Sequence, residues 1–458
     1  MERMEHIFFI GIGGKGLNGI AKVCLEKGYK VSGVDVCDKP ETIALAGLGA
    51  KIFYGHKESN ISPEINLIVY SSLIKENCPE IIAARRLNIK TMKRSAFLGF
   101  LARDDFRISI AGSHGKSTTT ALVGLSLINS NVDATIFGGA YTKELGSYNH
   151  LGKSGHSVIE ACEYDRSFFD LTADISVITS IEKSHLEYYK DEGEMVEAFR
   201  EFIHLHKPNA LIIANGDDSN IRRVTSHIAQ KVIYFGFDVR NDYVIGDVLK
   251  TKLGSTFSIF KNSKKILNNL TINLPGTYNI LNFTATATVL RELGISLEGV
   301  IETAKHFTGV GRRFEMTRLN TGQIFIDDFA HHPTQVKNLF DGIQQFFGEK
   351  KVCAIFQPRQ YNLMKNFLTE YGKAFSGADE VILTDIVPGL GDTEADCLSV
   401  NSHQIAESII KNSGRPARIM NDFSQITQYV KSNYAGDSVV TTIGAGDIYK
   451  IRNLFAEK

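Results

Sequence analysis

Neither sign of charge prevails in this 458-residue chain, in which 51 lysines and arginines face 51 aspartates and glutamates. Without a net field the chain has no general attraction for nucleic acid or an anionic membrane, so anions must be held at local sites and the substrates are expected to be small. No apolar run reaches the length that crosses a bilayer. The N-terminal run from Ile7 to Ile12 is too short for a signal peptide and passes straight into glycines. Cysteine is sparse, and Cys24, Cys37, Cys78, Cys162, Cys353 and Cys397 are scattered without close pairing. Such spacing fits single thiols in a reducing compartment better than a disulfide frame or a zinc knuckle. A cytoplasmic protein is expected. Internal repeats and low-complexity segments are absent as well, which excludes a solenoid or a disordered chain.

What is present is globular. Hydrophobic residues make up 43% and charged residues 22%, and the length corresponds to roughly three domains. Short apolar runs alternate with helix-length amphipathic segments, the pattern of wound α/β domains with mostly parallel sheets. The blocks divide as 1–105, 106–312 and 313–458. The first holds a strand Ile7 to Ile12, a glycine turn, a helix through Glu26 and a second strand ending at Asp35. The second carries apolar runs Ile108 to Ala111, Ser157 to Ile159, Ile175 to Thr179 and Leu211 to Ala214, then an antiparallel addition between about Asp242 and Leu274. The third runs strand Ile324 to Asp327, helix Pro333 to Phe347, strand Val352 to Phe356, helix Asn362 to Phe375, strand Val381 to Thr384, strand Ser438 to Ile443 and a terminal helix.

The most informative stretch is Gly112-Ser113-His114-Gly115-Lys116-Ser117-Thr118, set between a strand and a helix. Glycines there let backbone N–H groups and a helix N-terminus face phosphate oxygens. Lys116 reaches the terminal phosphates, and the Ser117 hydroxyl can ligate Mg²⁺. Only two residues separate the first glycine from Gly-Lys-Ser, so this is a shortened phosphate loop. The turn Gly11-Ile-Gly13-Gly14-Lys15-Gly16, with Asp35 about twenty residues on, reads as a Rossmann fingerprint. It admits either a dinucleotide or a nucleotide-sugar diphosphate; a second nucleotide site disfavours a plain dehydrogenase, since hydride transfer has no use for ATP. Glu160, Cys162 and Glu163 follow one strand and His185 another, and carboxylate and hydroxyl oxygens are hard ligands suited to Mg²⁺. Arg312 and Arg313 stand at a block boundary, where a guanidinium can meet a transferring phosphoryl group. The run Asp327-Asp328-Phe-Ala-His331-His332-Pro333 ends a strand and opens a helix, and it suits a ribose, an ammonium group or a metal.

Together these stretches resemble the Mur ligase family of peptidoglycan synthesis over nearly the whole chain. The specific segments are residues 9–16, 112–119, 160–168 and 327–334, with lesser ones at Tyr70-Ser71-Ser72-Leu73, Leu274 to Asn282, Arg312 to Glu315, Phe356 to Pro358 and Gly444 to Asp447. The resemblance implies a UDP-sugar-binding Rossmann-like domain (1–105), a central P-loop-type ATPase domain (106–312) and a Rossmann-like amino-acid-binding domain (313–458). It implies further that ATP and Mg²⁺ serve to join L-alanine to the lactyl carboxylate of UDP-N-acetylmuramate through an acyl phosphate, in a monomer or homodimer. A relative that reattaches a tripeptide, and a nucleotide-sensing relative without turnover, are the alternatives. By similarity the catalytic residues are Lys116, His185 and Arg313; ATP falls to residues 112–118 with Asn279, Asn282 and Asp328. Metal goes to Ser117, Glu160 and His185. The UDP-sugar goes to Gly11, Gly13, Gly14, Lys15, Gly16, Asp35, Ser71 and Ser72, and the acceptor to His331, His332 and Arg359. Ser180, Ser184 and Glu187 depart from the usual family residues around the second metal, and Arg359 to Lys365 departs near the acceptor.

Overall fold

The computed structural model describes residues 5–389 and 391–456. Its N-terminal sheet is built on β1 (His6–Ile10), whose residues are all buried. It is joined by β2 (Lys30–Asp35), β3 (Lys51–Tyr54), β4 (Leu67–Tyr70) and β5 (Lys90–Lys93) in the order β3-β2-β1-β4-β5, all parallel. Parallel neighbours on both sides explain why His-Ile-Phe-Phe-Ile is continuously apolar after its first residue. The strand stops two residues before the predicted Ile12 because Gly11 takes φ +81°, where a side chain is disfavoured. Helix α1 (Lys15–Glu26) follows.

A second, larger sheet holds β6 (Phe106–Ala111), β7 (Thr135–Thr142), β8 (Ser147–His150), β9 (His156–Glu160), β10 (Ile175–Ile178), β11 (Leu211–Asn215) and β12 (Lys231–Gly236). The order is β12-β11-β10-β6-β9-β7-β8, with β7 and β8 antiparallel and the other pairs parallel. From β6 the chain enters α2 (Lys116–Ile128), nine of whose residues are buried. The first two sheets pack together: the Asn149 amide of β8 fills the space where a Cβ on Gly19 of α1 would stand, and Ser95 Oγ donates to Asp170 Oδ2 at 2.6 Å. Beyond β13 (Tyr243–Thr251), the strands β14 (Gly254–Lys261) and β15 (Lys264–Ile272) form the expected antiparallel pair. Helix α3 (Thr277–Glu292) follows.

The C-terminal sheet comprises β16 (Glu315–Arg318), β17 (Ile324–Asp328), β18 (Val352–Phe356), β19 (Glu380–Leu383), β20 (Ala417–Ile419) and β21 (Val439–Ile443), ordered β16-β17-β21-β18-β19-β20. Only the edge strand β16 is antiparallel to its neighbour. Alternation along the strands supplies two cores: Ile326, Ala354 and Phe356 face α4 (Pro333–Phe347), while Phe325, Cys353 and Ile355 meet Ile426, Val430 and Ile451. The single helix predicted from Asn362 to Phe375 is instead two, α5 (Tyr361–Asn366) and α6 (Leu368–Ala374). Phe367 leaves helical geometry (φ −123°, ψ 25°) and sets its ring edge-on against His332 with centroids 4.7 Å apart. That aromatic contact outweighs local helix propensity.

Packing divides the chain into two compact units. One holds the residues up to Ile181 together with Val196–Val244 and Asn282–Thr303; the other holds Glu182–Met195, Ile245–Leu281 and the residues from Ala304 on. Among the described residues no helix is long and apolar enough to cross a membrane.

Candidate active site

In the first unit the glycine turn lies where the strand order reverses, between β1 and β4, the usual crevice for a ligand in an open α/β sheet. Gly11 N and Ile12 N donate to Val34 O, and the register pairing Ile10 with Tyr70 brings Ser71 and Ser72 to the same end of the sheet. Gly14, Lys15 and Gly16 are exposed at its rim. Asp35 points back into the turn. Its carboxylate accepts from Gly13 N at 2.9 Å, Val36 N at 2.8 Å and Lys39 Nζ at 2.7 Å, and a Cβ on Gly13 would collide with it.

The phosphate loop caps β6 and opens α2. Gly115 adopts the left-handed conformation (φ 82°, ψ −13°), and an added Cβ would come within 2.8 Å of Asn282 Oδ1. The loop is braced from β10's end: Ser113 N donates to Ser180 O (2.9 Å), His114 N to Ser180 Oγ (3.0 Å), and Thr179 Oγ1 to the carbonyls of Ala111 and His114. Ser180 is thus a brace for the loop, a role not read from the sequence. Lys116 folds over the turn, donating to Gly112 O at 2.5 Å, and lies 2.7 Å from Glu163 Oε2. Its side chain is only 12% exposed and that of Glu163 is fully buried. Burial disfavours the ammonium charge, but Glu163, with Cys162 and Glu160 nearby, outweighs burial and raises the lysine above its ordinary value. Glu163 is the main partner of Lys116, and its only sequence signal was a second carboxylate three residues past Glu160. Glu160 ends β9 opposite Ile110, and one of its oxygens accepts from Gly139 N at 3.0 Å. Ser117 is half-buried in the first turn of α2. Asn282 accepts from Thr119 Oγ1 at 3.2 Å, behind the loop.

The second unit holds the remaining residues. His185 carries φ +53°, an uncommon conformation for a side chain, and its Nδ1 lies 3.0 Å from Glu187 Oε1. Burial pushes the Glu187 carboxyl up, yet the bond and charge of His185 hold it below the usual carboxylate range. Asn362 Nδ2 donates to Leu186 O, so this segment rests on α5. Arg312 is anchored by Asp327 Oδ2 (2.9 Å) and by the carbonyls of Gly444 (2.7 Å) and Gly446 (2.9 Å). The guanidinium of Arg313 lies over the Phe329 ring at 4.9 Å instead. Asp328 accepts from Phe314 N and Ala330 N, each at 2.7 Å, and burial pushes its carboxyl up to about 6 although Arg313 draws it down. The Tyr278 hydroxyl is raised by burial and by Asp328, and Asn279 Nδ2 donates to Pro275 O. His331 Nδ1 lies 3.1 Å from Phe329 O, while His332 caps α4. Arg359 follows β18 and leans on Ala445 O at 3.5 Å, so Asp328, Arg359 and the Gly444 turn share the carboxyl end of one parallel sheet.

Three family models match the chain: "Mur ligase family, catalytic domain" over residues 6–106, "Mur ligase middle domain" over 110–290 and "Mur ligase, glutamate ligase domain" over 312–446. The UDP-N-acetylmuramate–L-alanine ligase of Clostridium acetobutylicum is 37% identical across 99% of this chain and 98% of its own length. That of Acetivibrio thermocellus is 33% identical across 99% and 96%. The crystal structure of the UDP-N-acetylmuramate–alanine ligase MurC from Thermotoga maritima superposes with a TM-score of 0.81 at 25% identity, covering 98% of both chains.

Proposed function

Because the chain belongs to the Mur ligase family, we propose that it is an ATP-dependent ligase joining L-alanine to the lactyl carboxylate of UDP-N-acetylmuramate. The observation that carries this reading is identity of 33% and 37% with L-alanine ligases along almost the entire chain. The domain 1–105 takes the UDP-sugar at Gly11 to Gly16 with Ser71 and Ser72, 106–312 takes ATP, and 313–458 takes the amino acid. A cytoplasmic location follows from its nucleotide substrates.

The amides of Gly115 to Ser117 and the N-terminus of α2 receive the phosphates. Lys116 exchanges Glu163 and Gly112 O for phosphate oxygens. Ser117 and Glu160 offer hard oxygen donors, a fit for Mg²⁺; His185, its ring oriented by Glu187 as metal-binding imidazoles are oriented by carboxylates, suits a second ion. Bound there, Mg²⁺ neutralises charge on the transferring phosphoryl group. A carboxylate is a poor electrophile until its oxygen becomes a good leaving group. The lactyl oxygen therefore attacks the terminal phosphorus, ADP departs and an acyl phosphate forms; the alanine nitrogen then attacks the acyl carbon, expelling phosphate and losing a proton. Arg359 pairs with the amino acid's carboxylate, beside His331 and His332. Asn279 and Asn282 serve the adenine, and Asp328 the ribose.

Purified protein given UDP-N-acetylmuramate, ATP and Mg²⁺ is expected to release phosphate with L-Ala and to form the alanyl product by mass. Release with the tripeptide alone would reassign the acceptor to the departing stretch Arg359 to Lys365. No release with L-Ala, Gly, L-Ser or tripeptide would overturn the ligase reading.

A further inference from the structure

Away from both nucleotide turns, the loop after β3 and the segment entering the helix Pro79–Arg86 bring His56, Cys78 and Glu80 together. The three side chains converge on one carboxylate oxygen. Glu80 Oε2 lies 3.0 Å from Cys78 Sγ and 3.0 Å from His56 Nδ1, and the sulfur and nitrogen are 3.8 Å apart. The other oxygen, Oε1, accepts from Lys57 N at 2.9 Å and Asn60 Nδ2 at 2.8 Å. Asn60 is itself fixed by a bond to Gly55 O at 3.0 Å. Glu80 is fully buried, whereas the His56 side chain is 30% exposed. A carboxylate thus stands rigidly oriented by two donors that cannot leave, and presents its remaining oxygen to a thiol and an imidazole, two groups that bind metal once a proton is lost.

We propose that His56, Cys78 and Glu80 form a site for Zn²⁺, with water from the open side as fourth ligand. Sulfur, imidazole nitrogen and carboxylate oxygen are the three donor types zinc takes, and in a tetrahedral ion with bonds of about 2.0–2.3 Å such donors lie roughly 3.3–3.8 Å apart. The sulfur–nitrogen separation already has that value. The two contacts to Oε2 need to open by only about 0.4 Å, which happens when the ion replaces the protons that now hold them together. Mixed N, S and O donors select against Mg²⁺, which prefers an octahedron of oxygens, so the site does not compete for the ion used with ATP. In position, the ion would fasten the loop after β3 to the segment that descends from Ser71 and Ser72, stiffening one wall of the crevice at the carboxyl end of the N-terminal sheet.

The test uses the full chain, stripped with a chelator, returned to excess Mg²⁺ and titrated with Zn²⁺ and separately with Co²⁺. One equivalent of Zn²⁺ per chain is expected, and Co²⁺ is expected to show a thiolate-to-cobalt charge-transfer band. Cys78→Ser should abolish the band, and His56→Gln should weaken zinc binding by at least about tenfold. The double variant Cys37→Ser, Cys397→Ser, which removes two exposed thiols, should bind as the parent does. Absence of stoichiometric uptake, or uptake undiminished in Cys78→Ser, overturns the proposal. Should that variant fail to fold, alkylation of the parent protein decides: zinc must protect Cys78 while Cys37 and Cys397 keep reacting, and equal labelling of Cys78 with and without zinc overturns it.

Discussion

Lys116 and Glu163 form a buried ion pair whose two members respond unequally to removal. Neutralising one partner leaves the other charged and desolvated, so Glu163→Gln is expected to lower unfolding stability by about 3 kcal/mol, measured in urea. Lys116→Ala is expected to abolish phosphate release, and full activity in it would refute the loop assignment. Asp328 gives a pH signature. Its carboxyl rises from 3.8 in an ordinary setting to about 6 in the fold, so folding is favoured below about pH 4 and loses roughly 3 kcal/mol as pH climbs through 6. Asp328→Asn should flatten that fall, on top of a uniform loss from the amide that one missing acceptor leaves unpaired, and denaturation curves at pH 4, 5, 6 and 7 will show it. At this scale the sequence disclosed the loop that joins β6 to α2, because glycine, lysine and serine in a fixed order have one common use. It did not disclose what holds them. Ser180, Glu163 and Asn282 support the loop from distant strands and a distant helix, a relation that exists only once the chain has folded.

Elements were legible where an apolar run is buried on both faces. β1, β6, β18 and β21 were all foreseen within a few residues, since parallel strands with neighbours on both sides are mostly apolar, with only small hydroxyls such as Ser109, Thr441 and Thr442 admitted at their buried positions. The edge strands β16 and β20 were not foreseen, because one open flank permits Glu315, Arg318 and Arg418 to interrupt the pattern. The division between α5 and α6 escaped for another reason: Phe367 breaks its helix to meet His332, a residue thirty-five positions earlier. Contacts between elements can be tested at Gly19, whose missing Cβ admits the Asn149 side chain to within 1.9 Å of where that carbon would be. Gly19→Ala should push α1 away from β8 and cost about 1–3 kcal/mol by overpacking, whereas the same change at the open position Gly47 should be nearly neutral. Thermal melts of the two variants compare them directly.

Over the whole molecule, each of the three sheets places the residues proposed to meet a ligand at the carboxyl ends of its strands: Ser71 and Ser72 after β4, Gly112 to Lys116 after β6, Arg359 after β18. Nucleotide held by the middle sheet should therefore stabilise the folded chain by mass action. At a hundred times its dissociation constant ATP with Mg²⁺ is expected to add about 2.7 kcal/mol, read as a rise in melting temperature that Lys116→Ala abolishes. In the first crevice Asp35 grips Gly13, Val36 and Lys39 through its two oxygens, so one carboxylate clamps the start of α1 to the end of β2 and keeps the turn in shape before any guest arrives.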